Sequence, residues 1–476
     1  MRPSSLDGVV RGACWGAVIA LSSCGQPTES TSQEPRPTDA AEAPGFAPAL
    51  EFAGVRSLLA REDAIEVAWE PLPDPALRYR VYAGGEELEP RALALACEVA
   101  AGGARATLPG LQTGETLQIL VRAVDAAGRE DSNPMVLRAT PNPVRYVSIE
   151  AAPDGDGTTP ERASPTLSQA IEEAIDAAGV NLYVTAGRFP ERILLFDGIT
   201  VYGGFGPEFD VEARWAATER TVIAPQGAGD LVVVAPGKRW SGLDRVELDG
   251  EGKAGRGLVA DDSRLQLVDV FVRRCTRKGL DLRGDEDLYS MMRARLHRCE
   301  IRDCGGEGLA LRGIGDVWLH RSHIRDTGQE GIEADVFGPG LGRSARLLVE
   351  GCTIEHGRDA GVRVDLALLP DTQQARTDPR LGSLRVGIFD SVIAHNARSG
   401  VSLDVEYEDA PVELFVDLRG NRVHDNGGLG LHLDVDAAGV YSSWRNVVER
   451  NRGEAGLLVT GESPGIVVSR EDAFGG

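Results

Sequence analysis

From residue 257 to residue 460 the chain repeats one short phrase: a glycine, an apolar residue, a variable residue, a second apolar residue and another variable residue. It reads GIEAD at 331–335, GVRVD at 361–365, GVSLD at 400–404 and GLHLD at 430–434. The Gly-plus-aliphatic start recurs at 257, 279, 308, 331, 361, 400, 430 and 456, at intervals of 22 to 39 residues. Alternation of apolar and variable positions is the period of a strand with one face buried. Its return at a fixed phase marks a solenoid in which each repeat packs on its neighbours. Upstream of four glycines stand CEIRDCGGEG, SHIRDTGQEG, SVIAHNARSG and NRVHDNGGLG, each with an apolar residue seven places before the glycine. Parallel β-helix coils of about 22–24 residues fit these intervals, with the extra residues of the longer ones looping out of turns. Small and polar residues then stack at the bends, Asn396 with Asn426 and Ser391 with Asn421.

Ahead of the repeats, apolar residues at 167, 170, 171, 174, 175 and 178 predict an amphipathic helix over 166–178, with Ser164-Pro165 at its start and Gly179 at its end. The strands LYVTAG, ILLFDG and ITVYGGF follow. This segment resembles the opening of bacterial right-handed parallel β-helix domains of the pectate-lyase-like type, in which such a helix covers the open end of the coil. Before it, residues 48–141 alternate in short strands separated by turn signals, which predicts a β-sandwich. With Trp69, Tyr79, Tyr82, the turn at 107–114 and VRAVDAAG, this stretch resembles a fibronectin type III module, although Leu117 stands where those modules place a corner tyrosine. The expected fold class is all-β, a β-sandwich spacer followed by a right-handed parallel β-helix over 142–476 with an N-terminal capping helix.

The N-terminus adds a compartment. Arg2 and Arg11 precede the apolar run GACWGAVIAL, which ends in LSSC at 21–24. A basic segment followed by a short apolar one reads as an export signal over 1–23. Leu21-Ser22-Ser23-Cys24 resembles the lipobox of bacterial lipoproteins, which implies lipidation of Cys24, a membrane anchor, and an outer-membrane protein that is periplasmic or on the cell surface. The Pro-, Ser-, Thr- and Glu-rich residues 24–47 form a disordered tether. A net charge of -23 argues against nucleic-acid partners, which need a basic face. Five cysteines remain after the signal and Cys24: Cys97, Cys275, Cys299, Cys304 and Cys352, at spacings that fit no zinc motif. Cys275 and Cys304 share a register on successive coils, either as a disulfide or as stacked thiols.

The candidate chemistry lies in the register four past the glycine. Successive coils read Arg283, Arg312, Asp335, Asp365, Asp404, Asp434 and Thr460 there. Two past the glycine stand Asp281, Ala310, Glu333, Arg363, Ser402, His432 and Leu458, on the same exterior face. Carboxylates one strand spacing apart, about 4.8 Å, repel by roughly 3 kcal/mol at an effective dielectric of 20. Three readings follow: a solvated or arginine-paired face, a contact for a cation such as Ca²⁺ or for a glycan, or a catalytic centre. Asp335, Asp365, Asp404, Asp434, Glu333 and His432 are the binding candidates, and Asp365, Asp404 and Asp434 the metal candidates. The resemblance to pectate-lyase-like enzymes implies acidic residues holding Ca²⁺ and an Arg or Lys that abstracts a proton beside a uronate carboxylate. The acidic column carries no lysine, so Arg363 with Asp365 and Asp404 is the lyase-like grouping. A second row, five before the glycine, mixes Asp303, Asp326, His356, His395 and Asp425, as turn residues or as transition-metal ligands. The leading expectation is a lipid-anchored envelope protein presenting a rigid face to polysaccharide or a surface partner without catalysis. Its rival is a Ca²⁺-dependent polysaccharide lyase or related carbohydrate-cleaving enzyme.

Overall fold

The computed structural model describes residues 52–475 apart from 87, 176–178, 285–291, 314, 338–343, 368–381, 407–411, 436–438, 454–456, 461–465 and 471–472. The signal, Cys24 and the tether lie outside the described residues. From Leu50 onward the chain is one compact unit, and almost all of its regular structure is strand. A three-stranded antiparallel sheet (Val55–Ala60, Ala64–Trp69, Arg105–Pro109) and a four-stranded one (Ala94–Val99, Arg78–Gly85, Leu117–Val124, Val136–Ala139) make the N-terminal sandwich. Trp69 and Tyr79 pack 5.4 Å apart in its core, and the Tyr79 hydroxyl accepts a hydrogen bond from the Leu72 amide at 2.7 Å.

The remainder is a right-handed parallel β-helix. Each coil contributes in turn to a first sheet of 12 strands (Val144–Val147 to Ile466–Arg470), a second of 11 (Gly187–Phe189 to Ala473–Gly475) and a third of ten (Ile193–Leu195 to Leu457–Thr460). The inward alternate residues form one continuous apolar core along its length. Between the first and second sheets the chain turns through single residues in the left-handed region: Arg245, Asp269, Arg298, Arg321, Gly351, Asp390, Gly420 and Arg445. The next residue on successive coils builds a ladder, in which the Cys299 amide donates to Ser322 Oγ, the Cys352 amide to Ser391 Oγ, the Ser391 amide to Asn421 Oδ1 and the Asn421 amide to Asn446 Oδ1. Asn396, Asn426 and Asn451 build a second ladder at the next bend, with amide-to-Oδ1 distances of 3.0 Å. Both stacks expected from the repeat are present. Cys275 and Cys304 are buried free thiols.

The helix differs from its sequence expectation. It runs Leu167–Glu172, capped by the Thr166 hydroxyl rather than by Ser164-Pro165. Leu167, Ala170, Ile171 and Ala174 enter the coil core, whereas the helix has ended before Ile175 and leaves that side chain exposed. The sandwich differs more. It is not a free spacer but is welded to the flank of the first sheet. Phe52, Val55 and Trp69 share a core with Tyr183, Tyr202, Phe205 and Val268 of the β-helix. Around that core Ser57 donates to Asp244 at 2.6 Å, the Asn181 amide and Tyr183 hydroxyl donate to the Ala60 carbonyl, and Gln266 clasps both main-chain groups of Arg138 at 2.7 Å. Trp240 and Arg264 both bond Glu86 of the sandwich.

The recurrent glycine has a steric reason. A Cβ on Gly331 would stand 2.4 Å from Ile354 Cγ2 and 2.7 Å from the Gly361 carbonyl oxygen, and Gly279, Gly308, Gly361 and Gly400 meet equivalent neighbours. The coil therefore packs a main-chain surface against the apolar residue of the following coil. Gly331→Ala is expected to cost about 1–3 kcal/mol in urea unfolding. Adding Ile354→Ala should make the two losses less than additive, because the smaller neighbour gives back the space.

Candidate functional site

Register places the third-sheet rows as the repeat requires. Arg312, Asp335, Asp365, Asp404, Asp434 and Thr460 are successive partners, as are Ala310, Glu333, Arg363, Ser402, His432 and Leu458. Charge compensation is built into this face. Arg312 lies 3.8 Å from Asp335, and Arg363 pairs with Asp365 at 2.6 Å. Burial, then the neighbouring Asp365, raises the pKa of Asp335. His432 Nδ1 stands 3.5 Å from Ser402 Oγ.

The structure adds residues that the row-by-row reading missed. The position just before the glycine is Arg256, Lys278, Glu307 and Glu330 in four successive coils, and these side chains turn back over the same face. Lys278 Nζ lies 3.2 Å from Glu307 and 3.7 Å from Glu333, two coils away in the third sheet. The acidic column itself carries no lysine, yet Lys278 reaches the face from a turn across neighbouring coils, which a comparison within one column does not reveal. Carboxylate oxygens of Glu307, Glu330 and Glu333 lie within 4.8 Å of one another, and Arg363 is 3.6 Å from Glu330. Arg256 similarly joins Asp230 to the buried Asp281, which also pairs with Arg283.

Three acids and two cations in a half-buried patch leave a proton to be shared. Burial and the adjacent Glu307 push Glu333 up to about 7, while Glu307, against its own burial, is lowered by the hydrogen bond with Glu333 and then by Lys278. Burial also raises Glu330. Lys278 Nζ and Glu333 Oε2 are both shielded from solvent without a well-formed hydrogen bond. The patch can thus hold or deliver a proton near neutrality. It fits Ca²⁺ poorly, because a hard cation needs a shell of oxygen ligands and two fixed side-chain cations already stand among these oxygens.

The second row proves to be a corner. Asp303 and Asp326 near the ends of their second-sheet strands, and His356, His395 and Asp425 just past theirs, all adopt the left-handed conformation, with φ from 54° to 58°. Short polar side chains tolerate that conformation better than most. His395, His424 and Asp425 do bring potential ligand atoms together. Arg450 nevertheless donates to Asp425 at 2.8 and 2.9 Å and reaches within 3.5 Å of His424, so its guanidinium takes the place of a metal.

A family model described as a right handed beta helix region matches residues 256–381, the central coils. No curated protein sequence matches the chain. Among solved structures, the chain is similar to the Family 28 exopolygalacturonase of Yersinia enterocolitica, with 12% identity, 88% of this chain and 96% of that one covered, and a TM-score of 0.30. It is also similar to the A-module of the mannuronan C-5 epimerase AlgE6 of Azotobacter vinelandii, with 14% identity, coverages of 69% and 99%, and a TM-score of 0.33. A third is PfbA, a surface adhesin of Streptococcus pneumoniae, with 9% identity, coverages of 69% and 93%, and a TM-score of 0.18.

The raised Glu333 sets a pH dependence. An acid whose pKa is higher folded than unfolded makes the native state bind the extra proton, so stability falls as pH rises from about 4.5 to about 7. Urea unfolding across that window should lose about 1–2 kcal/mol more in the parent than in Glu333→Gln, after allowance for partial solvent screening.

Proposed function

We propose that the protein is an exported, lipid-anchored component of the cell envelope that presents the third-sheet face of its β-helix to a polysaccharide or a surface partner without cleaving it. One observation carries this reading: polar and charged groups recur in register, one coil after another, along Glu333, Arg363, Ser402 and His432 and along Asp335, Asp365, Asp404 and Asp434. Groups at one fixed spacing suit a linear polymer that repeats its own groups. Their mutual ion pairs also spare the face the repulsion that an uncompensated acidic row would carry. The seven-strand order of the sandwich supports reading it as a fibronectin type III-like module. The LSSC segment supports attachment at Cys24, with the protein on the periplasmic or external side of an outer membrane. A charge of -23 supports partners other than nucleic acid.

A second reading, a Ca²⁺-dependent lyase or related carbohydrate-cleaving enzyme, is favoured by one feature. Glu333 and Glu307 share a proton beside Lys278, and proton transfer works best with a group poised near ambient pH. A screen of the full-length protein against acidic and neutral polysaccharides, with and without EDTA, separates the two. Retention of a polysaccharide with no ultraviolet-absorbing unsaturated product is the expected result. Product formation that EDTA abolishes would establish the lyase instead. For the anchor, Cys24→Ser should move the protein from the membrane fraction to the soluble one, since each buried CH₂ of an acyl chain contributes about 0.8 kcal/mol.

A further inference from the structure

The first sheet carries a groove of opposite character. Its volume is about 600 Å³, and its floor includes Arg293, Asp316, Arg346, Arg385, Phe415 and Asp417. Arg264, Arg293, Asp316, Arg346, Arg385 and Phe415 are successive register partners, so the cations follow the coil axis. Arg293 and Arg385 are three strands apart, roughly 14 Å at the usual strand spacing.

The carboxylates in the groove are already spoken for. Asp316 is held by Arg295 at 2.7 Å and by Arg346 at 2.8 and 3.0 Å. Asp417 is held by Arg419 and accepts from Ser442 Oγ at 3.0 Å. Among the described residues, no carboxylate lies within ion-pair distance of Arg293 or Arg385. The surplus is positive in a chain whose net charge is -23. At the sandwich end, burial pulls Arg138 down to about 10, with Arg295 adding to it and Glu86 and Asp316 opposing it.

We infer that this groove binds a linear acidic oligosaccharide along the coil axis, with Arg293 and Arg385 receiving its carboxylates and Phe415 facing a sugar ring. The inference deepens the polysaccharide reading and rests on it, but assigns the contact to a different sheet. Guanidinium forks match carboxylate geometry. The Phe415 ring, 37% exposed, offers a flat apolar surface against the C–H face of a pyranose. An extended peptide has no strand edge to pair with here, because every strand under the groove lies between hydrogen-bonded neighbours in the first sheet. A nucleic acid would need several phosphate contacts against a strongly acidic protein, whereas among the described residues the groove supplies two cations outside any ion pair.

Calorimetric titration of the full-length protein tests this, using a uronic-acid hexasaccharide, its carboxyl-reduced neutral counterpart, a single-stranded oligonucleotide and anionic phospholipid vesicles. The acidic hexasaccharide should bind, and Arg293→Gln with Arg385→Gln should weaken it at least tenfold. Among the described residues neither arginine holds an ion pair, so the melting temperature of the double variant should stay with the parent's. Should it not, Arg385→Gln alone, at an exposed position, gives the same readout. Equal binding of the reduced sugar, tighter binding of oligonucleotide or vesicles, or full affinity in the variant overturns the inference and leaves the third-sheet reading standing. Binding of no glycan at all overturns both.

Discussion

A coil of this protein closes because one residue turns the chain from the first sheet into the second. At Arg245, Asp269, Arg298, Arg321, Asp390 and Arg445 that residue is not glycine, yet it sits in the left-handed region, at roughly 1–2 kcal/mol each. The conformation persists because the turn's own amide bonds the equivalent corner of the next coil: Asp269 to His297, Arg298 to His320, Arg321 to Glu350 and Asp390 to Arg419, at 2.8–3.0 Å. The following side chain then continues the ladder through Ser322, Ser391, Asn421 and Asn446. Strained corners and polar ladders thus hold each other in place, and the register of all three sheets follows. With register fixed, a side chain's position in its repeat decides its neighbours above and below.

That dependence explains what could be read from the chain. The glycine phrase, the stacked Asn and Ser residues and the rows ending in Asp335, Asp365, Asp404 and Asp434 were legible because they repeat. Lys278 was not, since its partners Glu307 and Glu333 sit at two different registers and meet only when a turn side chain folds back over the sheet. The helix start at Thr166 was missed for a smaller reason: Ser164, Pro165 and Thr166 all suit a helix entrance, and tertiary context chose among them. Docking of the sandwich rests on Ser57, Glu86, Asn181 and Gln266, residues that occur once each and belong to no pattern.

Charge is sorted by sheet. On the third sheet acids outnumber cations, and burial makes Glu333 hold a proton near neutrality. On the first sheet, among the described residues, the arginines of the groove exceed the carboxylates that pair with them. A net charge of -23 is therefore a sum over unlike surfaces, and the chain's overall acidity does not describe what either face attracts.

The welded sandwich bears on how the molecule answers mechanical load. A solenoid pulled from one end can peel open coil by coil, because each repeat is held only by its neighbours. Tension arriving from the N-terminal side instead enters through Val55–Ala60, whose last carbonyl is bonded by Asn181 and Tyr183. From there it spreads across the aromatic core shared with Tyr202, Phe205 and Val268. Many contacts on the flank are then sheared together rather than unzipped in sequence, so the open end of the coil is not the first place to yield.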